Sequence, residues 1–170
     1  ISRGGVIERV GPEEELLAEA KNMRVDQYVD LGGRCVIPGL VDPHTHMCFA
    51  ARREEEFAKR LDGVPYLEIL RSGGGILSSV RSVRSASDQD LYQTTMANVA
   101  SAMRHGTTTV EIKSGYGLDA SSELRMLSVI DRVRRDAPLD VMATFMGAHA
   151  IPEEFRGQPE GFVDLLCHEM

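Results

Sequence analysis

No run of apolar residues in this sequence is long enough to cross a bilayer, so it offers no membrane-spanning helix. Cysteine is scarce, and Cys35, Cys48 and Cys167 form an odd set with no CxxC spacing. That disfavours a disulfide framework and fits a reducing, cytoplasmic setting. Cys35 and Cys48 flank a histidine pair, but the interleaved spacing is unlike that of a structural Cys2His2 zinc site. Basic residues are in deficit: 19 Lys and Arg against 26 Asp and Glu give a formal charge of -7. Neither nucleic acid nor an anionic membrane surface is therefore expected as a main partner, since both favour a basic face. Arg52, Arg53, Arg81, Arg84 and the cluster at 132 to 135 are local exceptions. A GxSxG elbow is absent, and the glycine run SGGGILSS lacks the GxxxxGK[ST] order and follows no strand, so serine hydrolase and phosphate-loop chemistry both lack their motif. There is no internal repeat, no low-complexity tract and no signal-peptide pattern. The opening ISRGGVIERV has no initiator Met and the closing FVDLLCHEM has no cap, so both ends read as cuts within a longer chain.

What remains is an ordinary globular composition, 42% hydrophobic and 26% charged over 170 residues, enough for one sizeable core. Residues 1 to 35 read as small β elements and loops, with turn glycines at 32 and 33. CVIPGLVDPHTH reads as a buried strand, and residues 50 to 86 as an excursion with short helices and a lid. Ser87 with Asp90 three residues on resembles a capping box, and Leu91, Thr95, Val99 and Ala102 share a helical face that ends near Gly106. TTTVEI is β-branched and predicts a strand over 107 to 112. Leu124, Leu127, Ile130 and Val133 predict the next helix, which Pro138 closes. Leu139 to Phe145 is the next strand, GAHAIPEEFRGQPEG a loop, and Phe162, Leu165, Leu166 and Met170 mark a last helix. Such alternation predicts an α/β fold with a parallel sheet and covering helices.

Candidate chemistry gathers at the strand ends. In an extended PGLVDPHTH, Asp42, His44 and His46 project to one face. Two adjacent imidazoles at the carboxyl end of a strand suit a metal ion, with Asp42 placed to orient a ring; alternatively they are merely hydrogen-bonded there. A catalytic metal needs about three protein ligands, and this chain shows two. His149 follows the strand DVMATFMG and Tyr116 follows TTTVEI, so in a parallel sheet both reach the same rim as His46, with Gly115 and Gly117 letting the chain bend around a ligand. Arg53 suits a bidentate carboxylate clamp, or a surface ion pair with Glu54, Glu55 or Glu56. His105 suits the last turn of a helix, and His168 is expected to be solvated.

On PGLVDPHTH, REEEF (53 to 57), YLEIL with SGGGILSSVR (66 to 81), TTTVEIKSGYGL (107 to 118) and TFMGAHAIPEEF (144 to 155), the chain resembles the amidohydrolase superfamily of metal-dependent hydrolases. Within it, the likeness is to enzymes of histidine degradation that hydrolyse 4-imidazolone-5-propanoate to N-formimidoyl-L-glutamate. The resemblance implies the N-terminal portion of a (β/α)8 TIM-like barrel over residues 37 to 170, with residues 1 to 36 as part of a small β-sandwich domain. It implies one divalent metal ion, Zn or Fe, on His44 and His46. It assigns Arg53 to the substrate propionate, and Tyr116 and His149 to the ring. The remaining ligands, the catalytic glutamate and an aspartate are expected beyond residue 170, so the fragment alone is expected to be inactive. A homodimer is one assembly to expect. The alternatives are another cyclic amidase or deaminase of the superfamily and a non-catalytic interaction fragment.

Overall fold

The computed structural model describes residues 1–170 and divides the chain into two compact units, Ile1–Ile37 and Pro38–Met170. In the first unit β1 (Ser2–Arg3) and β2 (Val6–Ile7) form an antiparallel hairpin with Arg3 opposite Val6. The charged segment expected to be loop is instead a helix, α1 (Glu13–Ala20). Pro12 precedes its first turn, where Glu13, Glu14 and Glu15 complement the positive end of the helix dipole, a signal that high charge without strong apolar spacing conceals.

The second unit contains a three-stranded parallel sheet in the order β3 (Leu40–Thr45), β4 (Thr107–Lys113), β5 (Asp140–Thr144). Between β3 and β4 run four helices, α2 (Glu54–Leu61), α3 (Tyr66–Arg71), α4 (Ile76–Ser85) and α5 (Asp88–Arg104). Then α6 (Ala120–Asp136) joins β4 to β5, and α7 (Pro159–His168) follows a 3-10 turn, Glu153–Phe155, inside the segment expected to be plain loop. No helix is long and apolar enough to cross a membrane.

The predicted cap forms: Ser87 Oγ accepts from the amide of Asp90 at 3.1 Å. A second cap, unforeseen in the sequence, has Asp119 Oδ1 accepting from the amide of Ser122 at 2.8 Å, and each satisfies an orphan donor of its helix. Leu91, Thr95 and Val99 of α5 are buried as their spacing predicts. Alternation along β4 turns Val110 and Ile112 into the core, where they meet Val99, Met126, Ile130, Val133 and Val141. Each such side chain stabilises the unit by roughly 1.5–3 kcal/mol through burial.

One expectation holds in part and another fails. The helix α6 forms and buries Ile130 and Val133 as their spacing predicts, but its buried face also holds Ser122, Glu123, Met126 and Val129, while Leu124 is 62% exposed. The apolar spacing misplaced only the N-terminal half of the stripe, because the polar pair Ser122 and Glu123 faces inward. Nor is β3 a buried strand: it pairs with β4, Leu40 is 51% and Val41 64% exposed, and Thr45 is its one buried residue.

Candidate functional site

All three strands point their carboxyl ends the same way, so the segments leaving them converge. His46, just beyond β3, lies 4.6 Å between ring centroids from His149, and the two rings stack within 13° of parallel. Tyr116 completes a triangle, 5.2 Å from His46 and 5.4 Å from His149. His44 stands edge-on to His46 at 5.6 Å. Four rings predicted from three separate strand ends thus form one cluster.

Burial pushes the imidazole of His46 below its ordinary value, and the neighbouring His149 and His44 act in the same direction. The shift favours the neutral ring, the form that carries a lone pair for a metal. Buried Nδ1 of His46 has no hydrogen-bond partner, although such atoms are nearly always paired. Asp42 does not orient an imidazole as expected; its carboxylate accepts from the backbone amide of His44 at 3.4 Å. The ladder shifts register between Asp42 and Thr45, around Pro43, which has no amide to donate.

The His149 ring is fixed differently. Its Nδ1 lies 2.9 Å from the carbonyl oxygen of Gly115. A carbonyl only accepts, so Nδ1 carries a proton, and in the neutral ring the lone pair is on Nε2. Burial raises the Tyr116 hydroxyl, and the charge of Arg53 works against that rise, so the guanidinium lies within electrostatic reach of the ring cluster. Arg53 also stands 3.7 Å from Glu56, a long contact for an ion pair, with 39% of its side chain exposed. Glu56 is held in turn by the Gly75 amide at 3.0 Å, tying α2 to the start of α4.

The Tyr116 turn is shaped by backbone crowding. A Cβ on Gly115, at φ 102°, would lie 2.9 Å from the carbonyl oxygen of Met146; one on Gly117 would lie 2.6 Å from the backbone nitrogen of Glu123. Only glycine fits at either position. Arg84 of α4 reaches this turn, donating from Nε to the Gly117 carbonyl at 2.7 Å while its Nη2 pairs with Glu154 at 2.7 Å.

Sequence reasoning missed Glu111 and Lys113. They pair with each other, and the Glu111 carboxylate accepts from the Thr45 amide at 3.3 Å, between the two histidines of β3. Burial works upward on Glu111, but hydrogen bonds from Lys113, Thr144 and Thr45 outweigh it and lower its carboxyl. Period-two alternation in TTTVEIK puts both charges on the face opposite Val110 and Ile112, the one signal that would have found them. His105 and His168 sit at helix ends, each with Nδ1 bonded to a carbonyl four residues back in its own helix, and neither joins the cluster. No three His, Cys, Asp or Glu side chains in the chain converge closely enough to hold a metal ion.

A parallel sheet with ring-bearing segments at its carboxyl edge defines an α/β enzyme-type site, and the chain belongs to the amidohydrolase family, whose pattern matches residues 35–162. More particularly, it is similar to imidazolonepropionases: 60% identical over 169 residues to that of Syntrophobacter fumaroxidans, 55% over 166 to that of Desulfotalea psychrophila, and 45% over 170 to that of Pseudomonas putida strain GB-1. These alignments cover 98–100% of this chain and 40–41% of the relatives. The chain thus spans about 40% of the length of the curated relatives it matches.

Proposed function

We propose that this chain contributes the metal strand and the substrate-holding rim of a hydrolase that opens the ring of 4-imidazolone-5-propanoate to N-formimidoyl-L-glutamate. The observation that carries this reading is the convergence of His44, His46, Tyr116 and His149 at one sheet edge, within reach of the Arg53 charge. The identity to imidazolonepropionases over nearly the whole chain supports the choice of substrate. On this reading the sheet forms three strands of a (β/α)8 barrel, and residues 1 to 36 belong to a β-sandwich domain.

Two adjacent imidazoles, one with an orphaned buried nitrogen and a pKa lowered by burial, fit part of the ligand set of one divalent ion, Zn or Fe, both of which accept imidazole. Such an ion, when bound, makes water a nucleophile near neutral pH. In the reaction the ring carbonyl carbon gains the water oxygen, its bond to the ring nitrogen breaks, and that nitrogen takes a proton. Arg53 holds the propionate carboxylate through two parallel N–H donors. His149 offers the lone pair of Nε2 to an N–H of the ring, and Tyr116 packs against it and offers a hydroxyl. The stacked rings keep water from the face they cover.

An ultraviolet assay of the protein expressed from its complete gene tests the proposal. Turnover of 4-imidazolone-5-propanoate is expected, with about one Zn or Fe per chain in elemental analysis. In His46→Ala the metal content should fall steeply. Turnover of a different cyclic amide or amine, and none of this substrate, would overturn the reading; unchanged metal in His46→Ala would remove the ion from β3.

A further inference from the structure

Glu123, in the first turn of α6, is 1% exposed and pairs with no Lys, Arg or His. A lone buried carboxylate is costly unless hydrogen bonds compensate. Here they come entirely from backbone amides: Gly115 donates to Oε2 at 2.9 Å and lies 3.1 Å from Oε1, and Oε1 also accepts from Gly117 at 2.8 Å and Leu118 at 2.9 Å. The concave array of N–H groups and the helix start supply the positive potential that a cation would otherwise provide. Two of the three residues gripped are left-handed, Gly115 at φ 102° and Leu118 at φ 55°. A buried leucine in that region is a strained conformer that persists only where its surroundings impose it.

We infer that Glu123 is a positioning residue for the ring cluster, holding Tyr116 in place and selecting the tautomer of His149. Tyr116 is flanked by two of the gripped amides, so its direction follows from their geometry. The carbonyl that accepts from His149 Nδ1 belongs to Gly115, the residue the carboxylate holds with both oxygens. One carboxylate therefore fixes the two groups that approach from β4 and β5. The link from the carboxylate to the imidazole stands on contacts alone; its consequence for substrate rests on the proposed function.

Glu123→Gln tests this with little change of volume. The carboxamide oxygen at the Oε1 position keeps the bonds from Gly117 and Leu118 and the longer one from Gly115 at 3.1 Å, while its NH2 replaces Oε2, the nearer acceptor of the Gly115 amide. Nitrogen-15 NMR of histidine-labelled protein expressed from the complete gene, above the imidazole titration range, reads the tautomer directly. In the unaltered protein His149 should be the Nδ1–H form, favoured about tenfold by its bond to Gly115. In Glu123→Gln that preference should fall several-fold, and the Gly115 amide proton should move upfield while those of Gly117 and Leu118 stay near their places. KM for 4-imidazolone-5-propanoate should rise about tenfold, with metal content unchanged, as one oriented hydrogen bond is lost. An Nε2–H tautomer in the unaltered protein overturns the inference without any variant. An unchanged tautomer in folded Glu123→Gln also overturns it, leaving Glu123 a structural carboxylate. Should the unaltered protein fail to turn over this substrate, the proposed function falls while the tautomer result still stands or falls by itself.

Discussion

Replacing Arg53 with alanine separates substrate recognition from stability, because the side chain has little to do with the fold. Its one ion pair, to Glu56, is 3.7 Å long and joins a side chain that is 39% exposed. Exposed pairs of this kind contribute about 0.2–1 kcal/mol, so the thermal midpoint should move by no more than about 4 °C. Binding is another matter. Truncating one partner of a desolvated, hydrogen-bonded charge pair costs on the order of 2–5 kcal/mol, and the exposure of Arg53 places it at the low end. A loss of about 2 kcal/mol corresponds to a KM increase of roughly thirtyfold. The assay is initial-rate kinetics on 4-imidazolone-5-propanoate with metal content measured in parallel, and metal should be unchanged. Arg53→Lys should recover only part of the loss, since an ammonium supplies charge without the paired N–H geometry. A wild-type KM in Arg53→Ala would refute the reasoning and leave Arg53 as a surface partner of Glu56.

Ile130→Ala should destabilise the protein by about 2–5 kcal/mol in urea unfolding, because Ile130 is fully buried in the core beneath the sheet. A loss under about 1 kcal/mol would mean that the core refills the space. Asp119 bears on acid stability. Burial works to raise its carboxyl, but hydrogen bonds from Ser122 and Ser121 and the charge of Arg84 outweigh it and hold it below its ordinary value of 3.8. A carboxyl lowered by folding adds stability above its unfolded value that disappears as pH falls through the folded one. In Asp119→Asn, a side chain that still caps α6, the loss of stability below about pH 4 should be shallower than in the unaltered protein. Identical acid limbs would show that Asp119 contributes nothing there.

The readable parts of this molecule were those with a local cause. Ser87 and Asp90 marked the start of α5, β-branched Thr107, Thr108 and Thr109 announced β4, and Pro138 set the end of α6. The rim was legible because parallel strands deliver their carboxyl-end residues to one edge, and that rule groups His46, Tyr116 and His149 from their places in the sequence. What escaped were features set by three-dimensional neighbours. The helix of α1 lacked an apolar stripe, and the exposure of β3 depends on what covers a sheet face, which no local pattern encodes. The grip of Glu123 was invisible because it depends on positive φ at Gly115 and Leu118, which turn three amides toward one point. Asp42 was assigned to a ring, but proline at position 43 disturbs the alternation on which that assignment relied.

The break in the β3 ladder sets the tempo of the ring cluster. Strand β4 pairs with β5 without a register shift, whereas its pairing with β3 is interrupted around Pro43. In hydrogen exchange the amides of β4 should therefore be the slow set and those of β3 around Pro43 a faster one. His44 and His46 flank that break on its carboxyl side, and Tyr116 sits on the turn that follows the unbroken strand. Each local opening at the break thus moves the two imidazoles relative to a partner held more firmly. Whatever seats itself between them closes that gap and, by binding the paired form alone, slows exchange in β3 in proportion to its affinity.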